Sequence, residues 1–220
     1  MNKISQRLLT IAKMVPNSVT ADIGSDHGKL MIHLFENGLI SYGYAIENKK
    51  GPYLNLVKNL KERNLVDKVV PLFSDGLDDL PECVNTIILA GMGGDTIVEI
   101  LQRHPEKLKN IQTIIVDAHS NIPLVRKEIN LMGYVIADEA IVKEADIFYE
   151  IIKFVKADVA IYGESDLTYG PILRKEKSAL FKEKYQNKIA KIDAILSQKI
   201  SEQRAVDLIK EKQILESVIR

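Results

Sequence analysis

The segment A-D-I-G-S-D-H-G at 21–28 sets two acids, Asp22 and Asp26, around two glycines, Gly24 and Gly28, with Ser25 and His27 between them. A glycine loop that follows a strand and opens a helix ordinarily cradles phosphate with its backbone N–H groups. Here Asp26 stands two residues after Gly24, where the dinucleotide fingerprint G-x-G-x-x-G needs its second glycine for close approach to a pyrophosphate. A carboxylate at that place repels the phosphate and blocks it. The loop therefore suits a ligand that is uncharged or cationic near the turn. Two further acids, Glu47 and Asp75, follow apolar runs in the same way.

The elements that position these residues follow from hydrophobic pattern. V-T-A-D-I at 19–23, Y-G-Y-A-I at 42–46, V-V-P-L-F at 69–73, T-I-I-L-A at 86–90 and T-I-I-V-D at 113–117 read as five short buried strands. Helical stretches separate them: Leu30 to Asn37 with Gly38 as C-cap, a helix after Gly51-Pro52 with Leu54, Val57 and Leu60 facing inward, Ile97 to Leu101, and about Pro123 to Met132. Such alternation predicts an α/β fold with a parallel sheet covered on both faces. Ligands of these sheets lie beyond the carboxyl ends of the strands, so Asp22, Glu47 and Asp75 should rim one crevice. Singly, each could be no more than a helix cap. Two more strands, at 134–139 and 147–155, complete the first part of the chain, and an apolar stripe at Ile4, Leu8, Ile11 and Val15 predicts a helix before it.

From residue 163 the pattern changes to long helices, with Leu180, Tyr185, Ile189, Ile192, Leu196 and Ile200 in one run and Ala205, Leu208, Leu215 and Ile219 in a second. They predict a coiled-coil hairpin joined near Ser201, and hence two domains, 1–162 and 163–220.

S-adenosylmethionine fits the crevice, because it carries a sulfonium, an ammonium, a ribose diol and an adenine but no phosphate. Glu47 can accept from both ribose hydroxyls, Asp75 from the adenine amino group with Leu77 as apolar cover, and Asp22 or Asp26 can attract the cationic groups. Gly24 and Gly28 let the loop pass close to the methionine portion.

At this point the chain resembles a known family, the bacterial tRNA (adenine-22-N1)-methyltransferases. The resemblance rests on A-D-I-G-S-D-H-G at 21–28, A-I-E-N at 45–48, G-P-Y at 51–53, S-D-G-L at 74–77, A-G-M-G-G at 90–94, Y-G-P-I-L at 169–173 and R-L-L-T-I-A from Arg7. It implies a class I, Rossmann-like methyltransferase sheet followed by a helical coiled-coil domain. Methyl transfer from S-adenosylmethionine to N1 of adenine in tRNA, leaving S-adenosylhomocysteine, is the activity it implies. The cofactor site so expected comprises Asp22, Gly24, Ser25, Asp26, His27, Gly28, Glu47, Asn48, Asp75, Gly76, Leu77, Ala90, Gly91, Met92 and Gly93. After the fifth strand the chain reads Asp117-Ala118-His119-Ser120-Asn121, where a Gln-Pro-Asn-like sequence is expected.

Enzymes that methylate the exocyclic amine of adenine carry Asn or Asp, then Pro-Pro and an aromatic, after strand four; Ala90-Gly91-Met92-Gly93-Gly94 has neither proline nor aromatic. Ring N1 already has an in-plane lone pair, so alignment and desolvation outweigh a general base. A carboxylate near the ring can stabilise the charge it gains, and Asp26 and Asp95 are the candidates by position. Asp95 serves a helix cap as readily. Tyr149 and Glu150 are further candidates for the base pocket.

The chain has 220 residues, 30 basic and 30 acidic, so net charge alone names no polyanionic partner. The charge is nonetheless divided: residues 1–155 carry 17 basic against 20 acidic residues, and residues 156–220 carry 13 against 10. The helix with Lys182, Lys188 and Lys191 is the expected contact for tRNA phosphates, unless these lysines only solvate a helix face. A single cysteine, Cys83, expected as a small buried residue, fits a reducing cytoplasm. His27, His33, His104 and His119 lack metal-ligand spacing, so no metal is expected, and no secretory signal or membrane span is read. Other readings remain open from the residues: a non-catalytic adenosyl-ligand or RNA-binding protein, a methyltransferase for another RNA or a small molecule, and an NAD-dependent oxidoreductase, which Asp26 disfavours.

Overall fold

The computed structural model describes residues 4–220; the first three residues, part of the expected N-terminal helical stretch, lie outside the described residues. The helix itself, α1 (Gln6–Met14), starts at Ser5, whose hydroxyl accepts from the Leu8 N–H. The sheet runs β3-β2-β1-β4-β5-β7-β6. Its strands are β1 (Thr20–Ile23), β2 (Gly43–Glu47), β3 (Val69–Phe73), β4 (Thr86–Met92), β5 (Thr113–Ala118), β6 (Tyr134–Glu144) and β7 (Ile147–Lys156). The five strands β1 to β5 pair in parallel. The helices α2 (Lys29–Glu36), α3 (Lys50–Glu62) and α4 (Gly94–Arg103) connect β1 to β2, β2 to β3 and β4 to β5, α5 (Ile122–Leu131) leads from β5 to β6, and β3 reaches β4 through turns at 74–85 rather than a helix.

Each buried strand feeds two cores, because neighbouring side chains point to opposite faces. Ile87, Leu89, Ile114 and Val116 pack with Ile97, Leu101, Val125 and Ile129 of α4 and α5. Ile88 and Ile115 pack on the other face with Ile11, Leu34, Leu56 and Leu60 of α1, α2 and α3. The inward face of α3 differs from the expected one: Leu56 and Leu60 are buried, while Leu54 is exposed. Cys83 is also exposed rather than buried, on a loop where its Sγ lies 3.5 Å from the Tyr44 hydroxyl.

β7 is antiparallel to both of its neighbours. The cause is local: Ala145 and Asp146 both have positive φ, +46° and +63°, the geometry of a two-residue hairpin turn that only antiparallel strands can share. β6 therefore extends to Glu144, beyond its expected end at 139, with an irregularity between Ile136 and Asp138.

After β7 come two short helices, α6 (Glu164–Tyr169) and α7 (Pro171–Glu176), then the long pair α8 (Ala179–Leu196) and α9 (Glu202–Ile219). Ser178 and Ser201 cap the long helices by accepting from the N–H groups of Phe181 and Arg204. Phe181, Tyr185, Ile192, Leu215 and Val218 form the seam between them, so Phe181 rather than Leu180 takes the first buried place. Lys188 to Glu211 and Lys212 to Asp193 bridge the pair at 2.7 and 2.5 Å.

Buried charges tie this helical part to the sheet. Arg126 of α5, fully buried, donates to Glu139 of β6 and Glu150 of β7 at 2.9 and 2.5 Å, and Lys184 of α8 reaches the other oxygen of Glu150. Glu139 also accepts from the N–H of Ile172 at 2.9 Å. A side chain at Gly170, φ +82°, would meet the Glu139 carboxylate at 2.6 Å. That close approach explains a glycine before Pro171.

Candidate active site

The parallel register brings the acids to one edge. Asp22 lies beside Ala45 and Ile88, Glu47 beside Phe73, and Ala90 beside Asp117, all near the carboxyl ends of their strands. Asp22 and Glu47 are both buried. Burial pushes the Asp22 carboxyl up to about 6; the Ser25 hydroxyl works against this, and the nearby Glu47 charge adds to it. The Ser25 Oγ is itself buried and makes no well-formed hydrogen bond.

The first half of the loop after β1 turns its backbone donors inward. The N–H groups of Gly24 and Ser25 both donate to the Ile46 carbonyl at 2.9 Å, and that of Asp26 donates to the Gly24 carbonyl. These three donors are therefore not free to meet a pyrophosphate. Gly24 and Gly28 have φ of +76° and +67°, and His27 between them +60°. Asn59 of α3 holds this loop by donating to the His27 carbonyl at 2.9 Å. A Cβ at Gly24 would touch Met92 Cε at 3.0 Å, and one at Gly28 would meet Leu56 at 2.6 Å. Met92 thus closes the gap between the ends of β1 and β4.

Glu47 spends one oxygen on the Lys49 N–H at 2.8 Å, and its second has no partner among the described residues. Asp75 is held by Arg103 at 2.8 Å and by the Asn48 side chain at 2.7 Å, contacts that keep its carboxyl below the usual range, Arg103 foremost. Gly76, φ +56°, turns the chain there, and Leu77 is wholly buried in the core. Leu77 therefore has no side-chain surface to cover a ligand. Ala90, Gly91 and Met92 end β4, where the register slips between Ala90 and Met92, and Gly93 precedes α4.

The two candidate carboxylates for the reaction differ in setting. Asp26 is 62% exposed, 3.3 Å from His27 Nε2. Asp95, in the first turn of α4, accepts from the Asn121 side chain at 3.0 Å, joining α4 to the loop after β5. An open groove of about 650 Å³ between α4 and α5 takes in Asp95, with Glu99, Gln102, Arg103 and Glu128. No other candidate residue lines it. Glu150 is drawn into the buried contact with Arg126 and Lys184 and has no place in a base pocket, whereas Tyr149 faces Arg7 and His119.

Two buried acids at neighbouring strand ends, an orphaned hydroxyl between them and a loop whose glycines leave no Cβ fit S-adenosylmethionine in each of its cationic and hydroxyl parts. The seven-stranded sheet with an antiparallel β7, together with these acids, defines a class I S-adenosylmethionine-dependent methyltransferase. The family model for tRNA (adenine(22)-N(1))-methyltransferase matches residues 20–219, and the chain belongs to that family of tRNA (adenine-N1) methyltransferases. A Bacillus subtilis tRNA (adenine(22)-N(1))-methyltransferase is 31% identical over 209 residues, 89% of this chain and 85% of that protein. The Streptococcus pneumoniae Sp1610 structure in complex with S-adenosyl-L-methionine is 32% identical, with a TM-score of 0.89 over 99% of this chain and 100% of that one. The structure of M. capricolum TrmK in complex with S-adenosyl-homocysteine is 25% identical, with a TM-score of 0.85 over 99% of both chains. No described helix is long and apolar enough to cross a membrane.

Sequence reasoning missed Arg7 and Asp117 as partners, which are 110 positions apart and meet at 2.5 Å. The only signal in the sequence is that both lie in or beside segments that stand out for other reasons.

Proposed function

We propose that this chain methylates N1 of adenine 22 in tRNA at the crevice beyond β1, β2 and β4. The observation that carries the reading is the pair of buried carboxylates, Asp22 and Glu47, at neighbouring strand ends behind a loop whose Gly24, Ser25 and Asp26 N–H groups are taken by backbone carbonyls. S-adenosylmethionine supplies an electrophilic methyl on sulfonium. The N1 lone pair forms the new C–N bond as the C–S bond pair returns to sulfur, and the ring takes the positive charge, so no proton need leave in that step. Glu47 holds the ribose diol with its unpartnered oxygen, and Asp22 attracts the cationic methionine portion. Asp75 faces the adenine with Arg103 and Asn48 fixing its carboxylate, and Gly76 allows the turn. Asp26 and Asp95 are the two carboxylates offered to the charge developing on the base.

Residues 1–162 serve as the catalytic domain in this reading, and the helices of 163–220 hold the RNA through Lys182, Lys188 and Lys191, in the cytoplasm where tRNA is processed. All three lysines are exposed. Mass analysis of nucleosides from tRNA treated with the protein and S-adenosylmethionine tests the reading: 1-methyladenosine is expected, and recovery of N6-methyladenosine alone overturns it.

A further inference from the structure

An arginine, a carboxylate, a histidine and a tyrosine meet just beyond the end of β4, and the cofactor contacts use none of them. Asp117 of β5 lies beside Ala90 and is fully buried. Arg7 of α1 donates to its Oδ2 at 2.5 Å. The same guanidinium stands 5.2 Å from the centre of the Tyr149 ring and 3.2 Å from His119 Nε2. The rings of His119 and Tyr149 meet edge to face at 5.5 Å. Glu144 of β6 fixes the start of the helix by accepting from the Arg7 backbone N–H at 2.7 Å. Gly91 lies alongside, where an added Cβ would come within 3.6 Å of Arg7 Nη1. Four elements thus spend polar or aromatic side chains on one spot at the strand ends.

Packing alone accounts poorly for this spot. Asp117 Oδ1 is buried with no well-formed hydrogen bond, the Gly91 N–H being its nearest backbone donor, an arrangement that costs stability and that an apolar residue would avoid. The His119 ring is 43% exposed and leaves an aromatic surface at the crevice. Charge supplies a reason for the ion pair. A base methylated at its ring nitrogen becomes cationic, and a lone arginine beside it would repel the product. Asp117 neutralises Arg7 while leaving guanidinium N–H groups that can donate to ring nitrogens of the nucleotide.

We propose that His119 and Tyr149 form the aromatic wall against which the extruded adenine lies, with Arg7, held by Asp117, orienting the base. The inference rests on the methyl-transfer reading above and names the residues that place the acceptor. Turning a base out of a folded RNA costs a few kcal/mol, which stacking on aromatic side chains offsets.

The test compares His119→Ala, Tyr149→Ala and His119→Phe with the wild type in single-turnover methylation of tRNA, alongside calorimetry with S-adenosylmethionine. Both alanine variants are expected to transfer methyl about 5- to 150-fold more slowly, the worth of one base–aromatic stack. Cofactor affinity should stay unchanged, and His119→Phe should recover most of the rate. Because His119 is half-exposed, its variants keep the test available if Tyr149→Ala fails to fold. Wild-type rates in His119→Ala, or a His119→Phe variant as slow as His119→Ala, would overturn the proposal. A wild-type protein that leaves tRNA unmodified would instead remove the underlying reading, and the two failures are told apart by the wild-type rate.

Discussion

Asp22 couples cofactor binding to pH. Its carboxyl is raised to about 6 by burial, with Glu47 adding repulsion against the opposing Ser25 hydroxyl. A carboxyl with a raised folded value costs stability as pH climbs from the unfolded value through the folded one, on the order of 2–3 kcal/mol at neutral pH. A bound cation favours the ionised form, so cofactor affinity should fall as pH drops through about 6. Asp22→Asn should melt higher than the wild type at pH 7.5, bind S-adenosylmethionine more weakly and lose that pH dependence, as calorimetry and thermal melts would show. Glu47→Ala should weaken binding by about 1.5–3 kcal/mol, the worth of hydrogen bonds to a charged group. Both acids were legible in the sequence because each ends an apolar run. The ties on Asp75 were not, since Arg103 lies 28 positions away on a helix face that reads as solvated.

At the scale of elements, the joint between sheet and helical hairpin rests on charges that sequence patterning hides. An arginine in a helix such as α5 looks like a solvent-facing residue, yet Arg126 is fully buried between Glu139 and Glu150. Arg126→Met should cost roughly 3–5 kcal/mol in a urea titration, because it leaves the buried Glu139 with no cation and Glu150 with Lys184 alone. Gly170→Ala should cost about 1–3 kcal/mol through its positive φ and its approach to Glu139. Burial acts to raise the Glu150 carboxyl, but the charges of Arg126 and Lys184 outweigh it and hold the group below the usual range. Its stabilisation is therefore complete above the ordinary carboxylate value and lost as pH falls through the lower folded one. The central strands β4 and β5 were legible because they open on the apolar runs T-I-I-L and T-I-I-V, as strands buried on both faces do. The hidden face of α3 was not, because Leu54 and Leu56 offer two helical stripes and only packing chooses Leu56.

Across the whole molecule, several basic residues of the C-terminal part are already held in ion pairs. Arg174 pairs with Asp166, Lys184 with Glu150 and Lys188 with Glu211, while Lys182 and Lys191 have no ion-pair partner among the described residues. Charge reversal at Lys182, Lys188 and Lys191 together should weaken tRNA binding and flatten its salt dependence by about 0.7–0.9 log units for each phosphate that is no longer neutralised. Breaking the exposed Lys188–Glu211 pair should itself change stability little. Cofactor affinity should not change, and an unaltered salt slope would assign the RNA to another surface. The most direct test of the methylation site uses two transcripts of one tRNA, with adenine or guanine at position 22, incubated with the protein and S-adenosylmethionine and mapped by primer extension. A methyl group on N1 blocks base pairing, so a stop at position 22 in the adenine transcript and none in the guanine transcript is expected. Equal stops in both, or a stop at another adenine, would contradict it.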